Sequence, residues 1–247
     1  MSPLSRSFRL LLKAIAPPVI WDLGRKVLRL PPSPPFYQGV QSHHNMDVLH
    51  RGRFAEIYDR WRSLNPHSSP NETRLRHYMS CMFAEFSGNV QGDFLSAGIS
   101  YGVAPHVIYD FVEFEKLGKT YHFIDPFLGI NNPNDGGAMS PYNTDVNFVR
   151  QQYPVGAPVR IHQTTIPDCF PLDGLDALAF AHLNVTVAVA EADSIDYLYK
   201  KLSSGGFIII DYYAFGRGNF EVYDQAIKKA GASIFTLVTG QGVIHKP

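Results

Sequence analysis

The stretch that decides the fold is Gly92-Asp93-Phe94-Leu95-Ser96-Ala97-Gly98-Ile99-Ser100-Tyr101-Gly102, in which an apolar strand runs into two glycines four residues apart. About thirty residues later, as in a βαβ unit, a second apolar strand, Tyr121-His122-Phe123-Ile124-Asp125, ends on an acid. Glycines at such a turn let the backbone approach a ligand closely, and the helix that follows presents unpaired N–H groups. A carboxylate that closes the next strand can accept hydrogen bonds from both hydroxyls of a ribose. Together the two features predict a site for a nucleoside-containing cofactor.

Each half of this pattern also has a purely structural interpretation. Glycines close many strand-to-helix turns that bind nothing. An aspartate at the end of a strand, such as Asp125, is also a common helix N-cap. The spacing of the two halves favours the binding site, and the residues alone leave both interpretations open.

Composition narrows the class of protein. The chain has 247 residues and 45% hydrophobic content, enough for one large domain with a modest extension. Its 22 basic and 22 acidic residues balance, so no overall field attracts nucleic acid. Cys81 and Cys169 are far apart and form no CxxC or Cys/His cluster, which argues against a disulfide scaffold or a zinc module. These features predict a cytoplasmic protein.

Residues 1–35 form a basic amphipathic arm that ends in a proline-rich linker, Pro31-Pro32-Ser33-Pro34-Pro35. Lys13 and the pair Pro17-Pro18 interrupt its apolar run, which makes it too short for a membrane span and a poor signal peptide. The arm either lies on a membrane surface, packs on a partner subunit as in a homo-oligomer, or covers its own domain. The first of these would make the protein membrane-peripheral.

Two further units follow the arm. Residues 36–91 predict a helical flank or lid, with a first helix over 45–61 and a second over about 72–86. Residues 92–247 alternate strands with helices, the first of these helices over about 104–117, which indicates a doubly wound, mostly parallel α/β sheet. Two apolar strands around the turn Gly240-Gln241-Gly242 predict a C-terminal antiparallel hairpin.

This order of elements resembles that of class I S-adenosylmethionine-dependent methyltransferases, which have a Rossmann-like fold. From about Gly92 to the C-terminus, the chain more specifically resembles the macrocin O-methyltransferase family. The anchors are Gly92-Asp93-Phe94 with Gly98 and Gly102, Asp125-Pro126-Phe127-Leu128-Gly129, Thr165-Ile166-Pro167, and the run from Leu198 to Tyr213, which is the most specific. The resemblance implies S-adenosylmethionine as cofactor and a sugar hydroxyl of a glycan or glycosylated metabolite as acceptor.

The resemblance also implies the residues that hold the cofactor. Asp125 matches the acid that holds the ribose hydroxyls, and the loop from Ala97 to Gly102 matches the wrap around the methionine portion. Ser96 stands where the family has a glutamate that helps hold the cofactor. The implied cofactor residues are Ser96, Ala97, Gly98, Ser100, Tyr101, Gly102, Asp125, Pro126 and Phe127.

A departure from the family concerns metal. Family members hold magnesium with an Asp-x-Asp after the fourth strand and an Asp-Asp after the fifth, and this chain has Asn184, Thr186, Asp211 and Tyr212 there. A hard divalent ion prefers anionic oxygen ligands, and one carboxylate of the set remains. We therefore expect magnesium binding to be weak or absent.

Without a metal, methyl transfer to a hydroxyl needs a base. Asp211 is the leading candidate because ligands bind at the carboxyl edge of an open α/β sheet, with helix capping as its structural alternative. His182 has a suitable intrinsic pKa, or it is a core histidine, and Asn184 could hydrogen-bond the acceptor.

Three alternatives remain open. Arg74, Arg76 and His77 on the second helix either contact a phosphate or carboxylate or form a solvated helix face. The acceptor is alternatively a small phenol or carboxylate. Because fold does not fix function, the chain is alternatively a catalytically silent relative that acts as a binding partner in glycan assembly.

Overall fold

The computed structural model describes residues 36–37, 40–41, 45–65, 70–127, 144–214 and 219–247. The basic arm and its linker, residues 1–35, lie outside these residues, so the interpretations of the arm remain predictions. None of the helices within the described ranges is both long and apolar enough to cross a membrane.

Helices and strands alternate along most of the described chain. The strands are β1 Phe36–Tyr37, β2 Val40–Gln41, β3 Asp93–Ala97, β4 Tyr121–Asp125, β5 Val159–Gln163, β6 Leu178–Leu183, β7 Leu202–Ile210, β8 Ile234–Thr236 and β9 Gly242–His245. The α-helices are α1 Arg53–Trp61, α2 Pro70–Phe86, α3 Val103–Phe111, α4 Val146–Arg150, α5 Ala188–Lys201 and α6 Asn219–Lys229. Short 3-10 turns cover Asp47–Leu49, Arg62–Leu64 and Phe114–Lys116.

Seven of these strands form one sheet in the order β5-β4-β3-β6-β7-β9-β8. The first five in that order pair in parallel, whereas β9 is antiparallel to both β7 and β8. The predicted doubly wound sheet and the predicted C-terminal hairpin are therefore confirmed. The chain reverses its direction of winding between β3 and β6, and ligands bind at the carboxyl ends of strands at such a switch point.

The sheet is buried on both faces. Phe94, Phe180 and Ile209 belong to a cluster with residues of α1, α2 and α3, and Leu95 and Ile208 belong to a second cluster with residues of α5 and α6. Parallel strands covered on both sides are expected to be almost continuously apolar, and β6 follows this rule except at His182. Both α1 and α2 belong to the first cluster; α2 contacts β6 and β7, whereas α1 packs on α3. The domain boundary at residue 91 stays a prediction.

Two predicted helices are shorter than expected. The helix predicted over 45–61 is divided into a 3-10 turn and α1, because Gly52 adopts a positive φ of 74° that a right-handed helix cannot contain. The helix predicted over 104–117 ends at Phe111, since Glu113 lies in the left-handed region and starts a 3-10 turn. Neither difference changes the carboxyl edge of the sheet.

Candidate active site

The carboxyl edge of the sheet collects the predicted functional residues. Asp125 ends β4, Gly98 follows β3, Asn184 follows β6 and Asp211 follows β7. The backbone N–H of Gly98 donates to Ile124 O at 2.9 Å, so adjacent strand ends lie in register. Three strand spacings of about 4.8 Å each separate β4 from β7 along this edge. The two acids therefore lie on one edge, with the glycine-rich turn between them.

Gly98 is required by the packing of the edge itself. Its φ is +80°, and a Cβ atom there would lie 2.3 Å from Asn184 O. The structural interpretation of this glycine is therefore correct in part, because no side chain fits between the turn and the end of β6.

Asp125 ties the turn to the end of β4. One carboxylate oxygen accepts from Ile99 N at 2.8 Å and Ser100 N at 3.0 Å, and the other accepts from Phe127 N at 2.8 Å. Burial raises the pKa of Asp125, although the three N–H donors oppose this. A carboxylate has about four acceptor positions, so capacity remains for a hydroxyl. The binding of a ribose by Asp125 stays a prediction.

Ser96 is turned away from that edge. It is 1% exposed, and its hydroxyl is 2.8 Å from the Tyr121 hydroxyl inside the core. Its predicted part in holding the cofactor stays a prediction. Of the other predicted cofactor residues, Ala97 and Phe127 are buried beside the turn and Pro126 is partly exposed.

An aromatic pair borders the turn. Tyr101 contacts Phe148 of α4 edge to face, with ring centroids 6.0 Å apart, and Phe148 is 39% exposed. Sequence reasoning missed Phe148, because an apolar residue on a short amphipathic helix carries no signal that distinguishes a binding surface from packing.

Asp211 lies in a cluster of polar side chains and is 4% exposed. Its Oδ1 is 3.1 Å from His182 Nε2 and accepts from Gln241 Nε2 at 2.7 Å, and its Oδ2 is 3.9 Å from Arg76 Nη1. Burial raises the pKa of Asp211, but His182, Arg76 and Gln241 outweigh it and lower the pKa to about 2. Asp211 is therefore ionised at neutral pH, and the structure brings the two predicted bases, Asp211 and His182, together.

Gln241 holds this cluster from the C-terminal hairpin. It is fully buried, its Nε2 also donates to Ser80 Oγ at 3.0 Å, and its Oε1 accepts from Thr239 Oγ1 at 2.7 Å. The Thr239 hydroxyl thus fixes which end of the amide faces Asp211. Sequence reasoning identified Gln241 as a turn residue and missed this contact, which only the pairing of β9 with β7 reveals.

The three basic residues predicted together on α2 have separate environments. Arg74 is 5% exposed and donates to Leu49 O at 2.8 Å and Asp59 Oδ1 at 2.6 Å, so a solvated helix face was the wrong interpretation for it. Burial lowers the pKa of His77 to about 4, so it is neutral at physiological pH. Arg76 lies beside Asp211, with its guanidinium 5.2 Å from the centre of the Tyr212 ring.

The loop after β6 carries Asn184 and Thr186. Asn184 N donates to Ala97 O at 2.9 Å, and its residue is partly exposed, whereas Thr186 is exposed. Val185 N donates at 2.7 Å to Glu191 Oε1, a buried carboxyl whose pKa burial raises to about 8. The buried Glu191 carboxyl therefore holds the backbone of the loop, and Asn184 is partly exposed to solvent.

This donor set does not fit a divalent cation. Asp211 is the one carboxylate at the four positions, its Oδ1 is already engaged by two nitrogen groups, and the Arg76 cation faces its Oδ2. Among the residues that the structure describes, no three His, Cys, Asp or Glu side chains form a group able to hold a metal ion.

Comparison with known proteins gives the family. The profile of the family Macrocin-O-methyltransferase (TylF) matches residues 60–231. The structure of the O-methyltransferase NovP is similar with a TM-score of 0.60 and 19% identity, over 72% of this chain and 81% of that one. A structure from Corynebacterium glutamicum is similar with a TM-score of 0.51 and 13% identity, over 92% and 97% of the two chains. No curated protein sequence matches the chain.

The two structures, at these identities, establish the fold alone, and the family profile establishes more. It spans well over half of the chain, including α2, the glycine-rich turn, Asp125 and Asp211. The chain therefore belongs to the macrocin O-methyltransferase family and is a class I O-methyltransferase that uses S-adenosylmethionine.

Proposed function

We propose that this enzyme methylates a hydroxyl of a saccharide, in a glycan or a glycosylated metabolite, without a divalent cation. The family to which it belongs is named for an enzyme that acts on macrocin, which supports the acceptor class. The observation that carries the metal-free part is the environment of Asp211, in which nitrogen donors and a guanidinium surround the single carboxylate.

The turn between β3 and α3 holds the cofactor together with Asp125. Gly98 has no side chain to cover the turn, and Asp125 retains one acceptor position for a ribose hydroxyl. When bound, S-adenosylmethionine supplies a methyl group on a sulfonium sulfur.

Asp211 is the base. With the acceptor hydroxyl against Asp211, Oδ2 would take the hydroxyl proton as the methyl group is transferred to the acceptor oxygen. A carboxylate with a pKa of about 2 is sufficient, because the oxygen becomes strongly acidic as the new bond forms. The low pKa also keeps Asp211 ionised and ready to accept the hydroxyl hydrogen bond.

His182 and Asn184 assist this step in different ways. His182 Nε2 donates to Asp211 Oδ1 at 3.1 Å and thereby fixes the orientation of the carboxylate. The Asn184 side chain, on the partly exposed side of the loop, hydrogen-bonds the acceptor.

A titration and an acceptor screen test the proposal. We expect S-adenosylhomocysteine to bind with micromolar affinity, about −8 kcal/mol, both with and without magnesium. We expect methyl transfer to methyl glycosides and not to small phenols or carboxylates. Turnover that requires magnesium would contradict the metal-free part, and turnover of phenols or carboxylates alone would contradict the acceptor class.

The basic arm supports an extension of the proposal, in which the acceptor is held at a membrane surface and the cytoplasmic enzyme binds to that surface through the arm. Positions 1–30 contain six basic residues and one acid, Asp22, and a segment of this composition binds anionic lipid. The full chain should co-sediment with anionic liposomes better than a chain lacking residues 1–30. Equal retention of the two chains would remove this extension and leave the enzymatic proposal intact.

A further inference from the structure

We infer that Arg76 is a catalytic residue, whose guanidinium donates a hydrogen bond to the acceptor oxygen and, together with Asp211, holds that oxygen in position for methyl transfer. The inference rests on the proposed function, because it takes Asp211 as the base. It assigns the acceptor hydroxyl to a defined pair of atoms, Arg76 Nη1 and Asp211 Oδ2.

Two arginines on the same helix show why Arg76 needs an explanation. Arg74 uses both terminal nitrogens of its guanidinium, with hydrogen bonds to Leu49 O and Asp59 Oδ1 and a contact over the Tyr58 ring at 4.5 Å, although its Nε is buried without a partner. The Arg76 side chain is only 14% exposed, yet its guanidinium makes no hydrogen bond to any described residue, and its Nε is buried without a partner. Buried guanidinium groups are normally satisfied by acceptors.

The distance between Arg76 and Asp211 suits one bridging oxygen atom. Nη1 and Oδ2 are 3.9 Å apart, too far for a direct hydrogen bond. An oxygen about 2.8 Å from each atom would see them at an angle of about 90°, which suits a hydroxyl that accepts from Nη1 and donates to Oδ2. Asp211 Oδ1 keeps its contacts with His182 and Gln241 in this arrangement.

The surroundings hold the guanidinium in place. The Tyr212 ring lies 5.2 Å from Arg76 Cζ, a cation–π distance. The titratable groups that face Arg76 are Asp211, His182 and His77, and His77 is uncharged at neutral pH because burial lowers its pKa to about 4.

Arginine keeps its N–H donors at every pH, so Arg76 supplies a fixed hydrogen-bond donor for the acceptor oxygen. A fixed donor orients the oxygen towards the methyl group and contributes mainly to the rate of transfer. The loss of the Arg76 guanidinium should therefore lower kcat more than it raises KM.

The test uses the full chain with methyl glycosides of hexoses and 6-deoxyhexoses as acceptors. Arg76→Gln removes the charge, Arg76→Lys retains it, and Arg51→Gln is the matched control because the Arg51 side chain is 80% exposed. For Arg76→Gln we expect kcat to fall about a hundredfold and S-adenosylhomocysteine affinity to stay within about twofold. Arg76→Lys, and Arg76→Ala with added guanidinium ion, should recover part of kcat.

Each outcome decides one question. A kcat for Arg76→Gln close to that of Arg51→Gln overturns the inference alone. A loss that neither lysine nor guanidinium ion recovers, accompanied by an equal loss of S-adenosylhomocysteine affinity, also overturns it, because it indicates a structural role. Wild-type enzyme that methylates none of the glycosides overturns the proposed function, and the inference falls with it.

Discussion

Asp125 ends β4 and Asp211 follows β7 at the same edge of the sheet, yet their surroundings shift their pKa values in opposite directions. Asp125 accepts three backbone N–H groups from its own neighbourhood, and burial raises its pKa. Asp211 faces side chains from three separate elements, which lower its pKa to about 2. Neutral backbone donors therefore leave a buried carboxylate poorly compensated, whereas an imidazole and a guanidinium overcome the same burial.

The largest expected effect is that of Asp211→Asn. The amide keeps the size of the side chain but cannot accept the hydroxyl proton, so kcat should fall about a thousandfold, within the range for general bases. S-adenosylhomocysteine affinity, measured by calorimetry, should not change. A lower kcat with an unchanged affinity for S-adenosylhomocysteine would mean that Asp211 acts on the acceptor and not on the cofactor.

One result would contradict the assignment of Asp211 as the base. The loss of a general base lowers the rate at least about a hundredfold, so if Asp211→Asn retained more than about a tenth of the wild-type kcat, another residue would be the base. His182→Gln, which keeps a donor for Asp211 Oδ1, serves as control and should lose less activity than Asp211→Asn.

The next effect is that of Asp125→Ala on cofactor binding. The variant loses the acceptor for ribose hydroxyls and the anchor of the turn at Ile99 and Ser100. Charged hydrogen bonds of this kind contribute about 1.5–3 kcal/mol, so S-adenosylhomocysteine affinity should fall about a hundredfold.

Asp93→Ala is the matched control for Asp125→Ala. Asp93 lies at the amino end of β3 and also accepts a backbone N–H, from Thr120 at 2.8 Å. Its replacement should leave S-adenosylhomocysteine affinity unchanged. Equal losses in the two variants would mean that the Asp125 result reports folding and not the ribose contact.

The same contrast explains what could be predicted from sequence. The turn at Gly98 and the acid at Asp125 form a local pattern within one βαβ unit, so their juxtaposition was predicted. The partners of Asp211 come from elements distant along the chain, since Gln241 lies 30 residues later and Arg76 belongs to a helix before the sheet begins. Only the strand order and the packing of α2 bring them together. The contact of Ser96 with Tyr121 inside the core could not be predicted either, because alternate residues of a strand face opposite sides of the sheet and the local sequence does not show which side is which.

A third effect separates the two acids by the pH dependence of stability. The pKa of Asp211 is lowered from 3.8 to about 2, so its ionised form contributes about 2 kcal/mol that is present above pH 4 and lost as pH falls towards 2. The pKa of Asp125 is raised, so its protonation favours the folded state as pH falls.

Urea unfolding at pH 5 and pH 2.5 measures this contrast. The difference in unfolding free energy between wild type and Asp211→Asn should shrink at the lower pH. At the lower pH, the unfolding free energy of the wild type should rise relative to that of Asp125→Asn. Changes of the same sign in both variants would contradict the opposite treatment of the two acids.

The smallest effect tests whether the C-terminal hairpin contributes to the environment of Asp211. Gln241→Leu removes the donor at 2.7 Å from Asp211 Oδ1, which should raise the pKa of Asp211, as measured by NMR of its carboxyl carbon. Because the carboxylate also loses a group that orients it, kcat should fall about tenfold, equivalent to about 1.4 kcal/mol. Thr239→Val removes only the hydroxyl that orients the Gln241 amide, so it should shift both quantities in the same direction by less. An Asp211 pKa that stays unchanged in Gln241→Leu would mean that His182 and Arg76 alone keep this acid ionised.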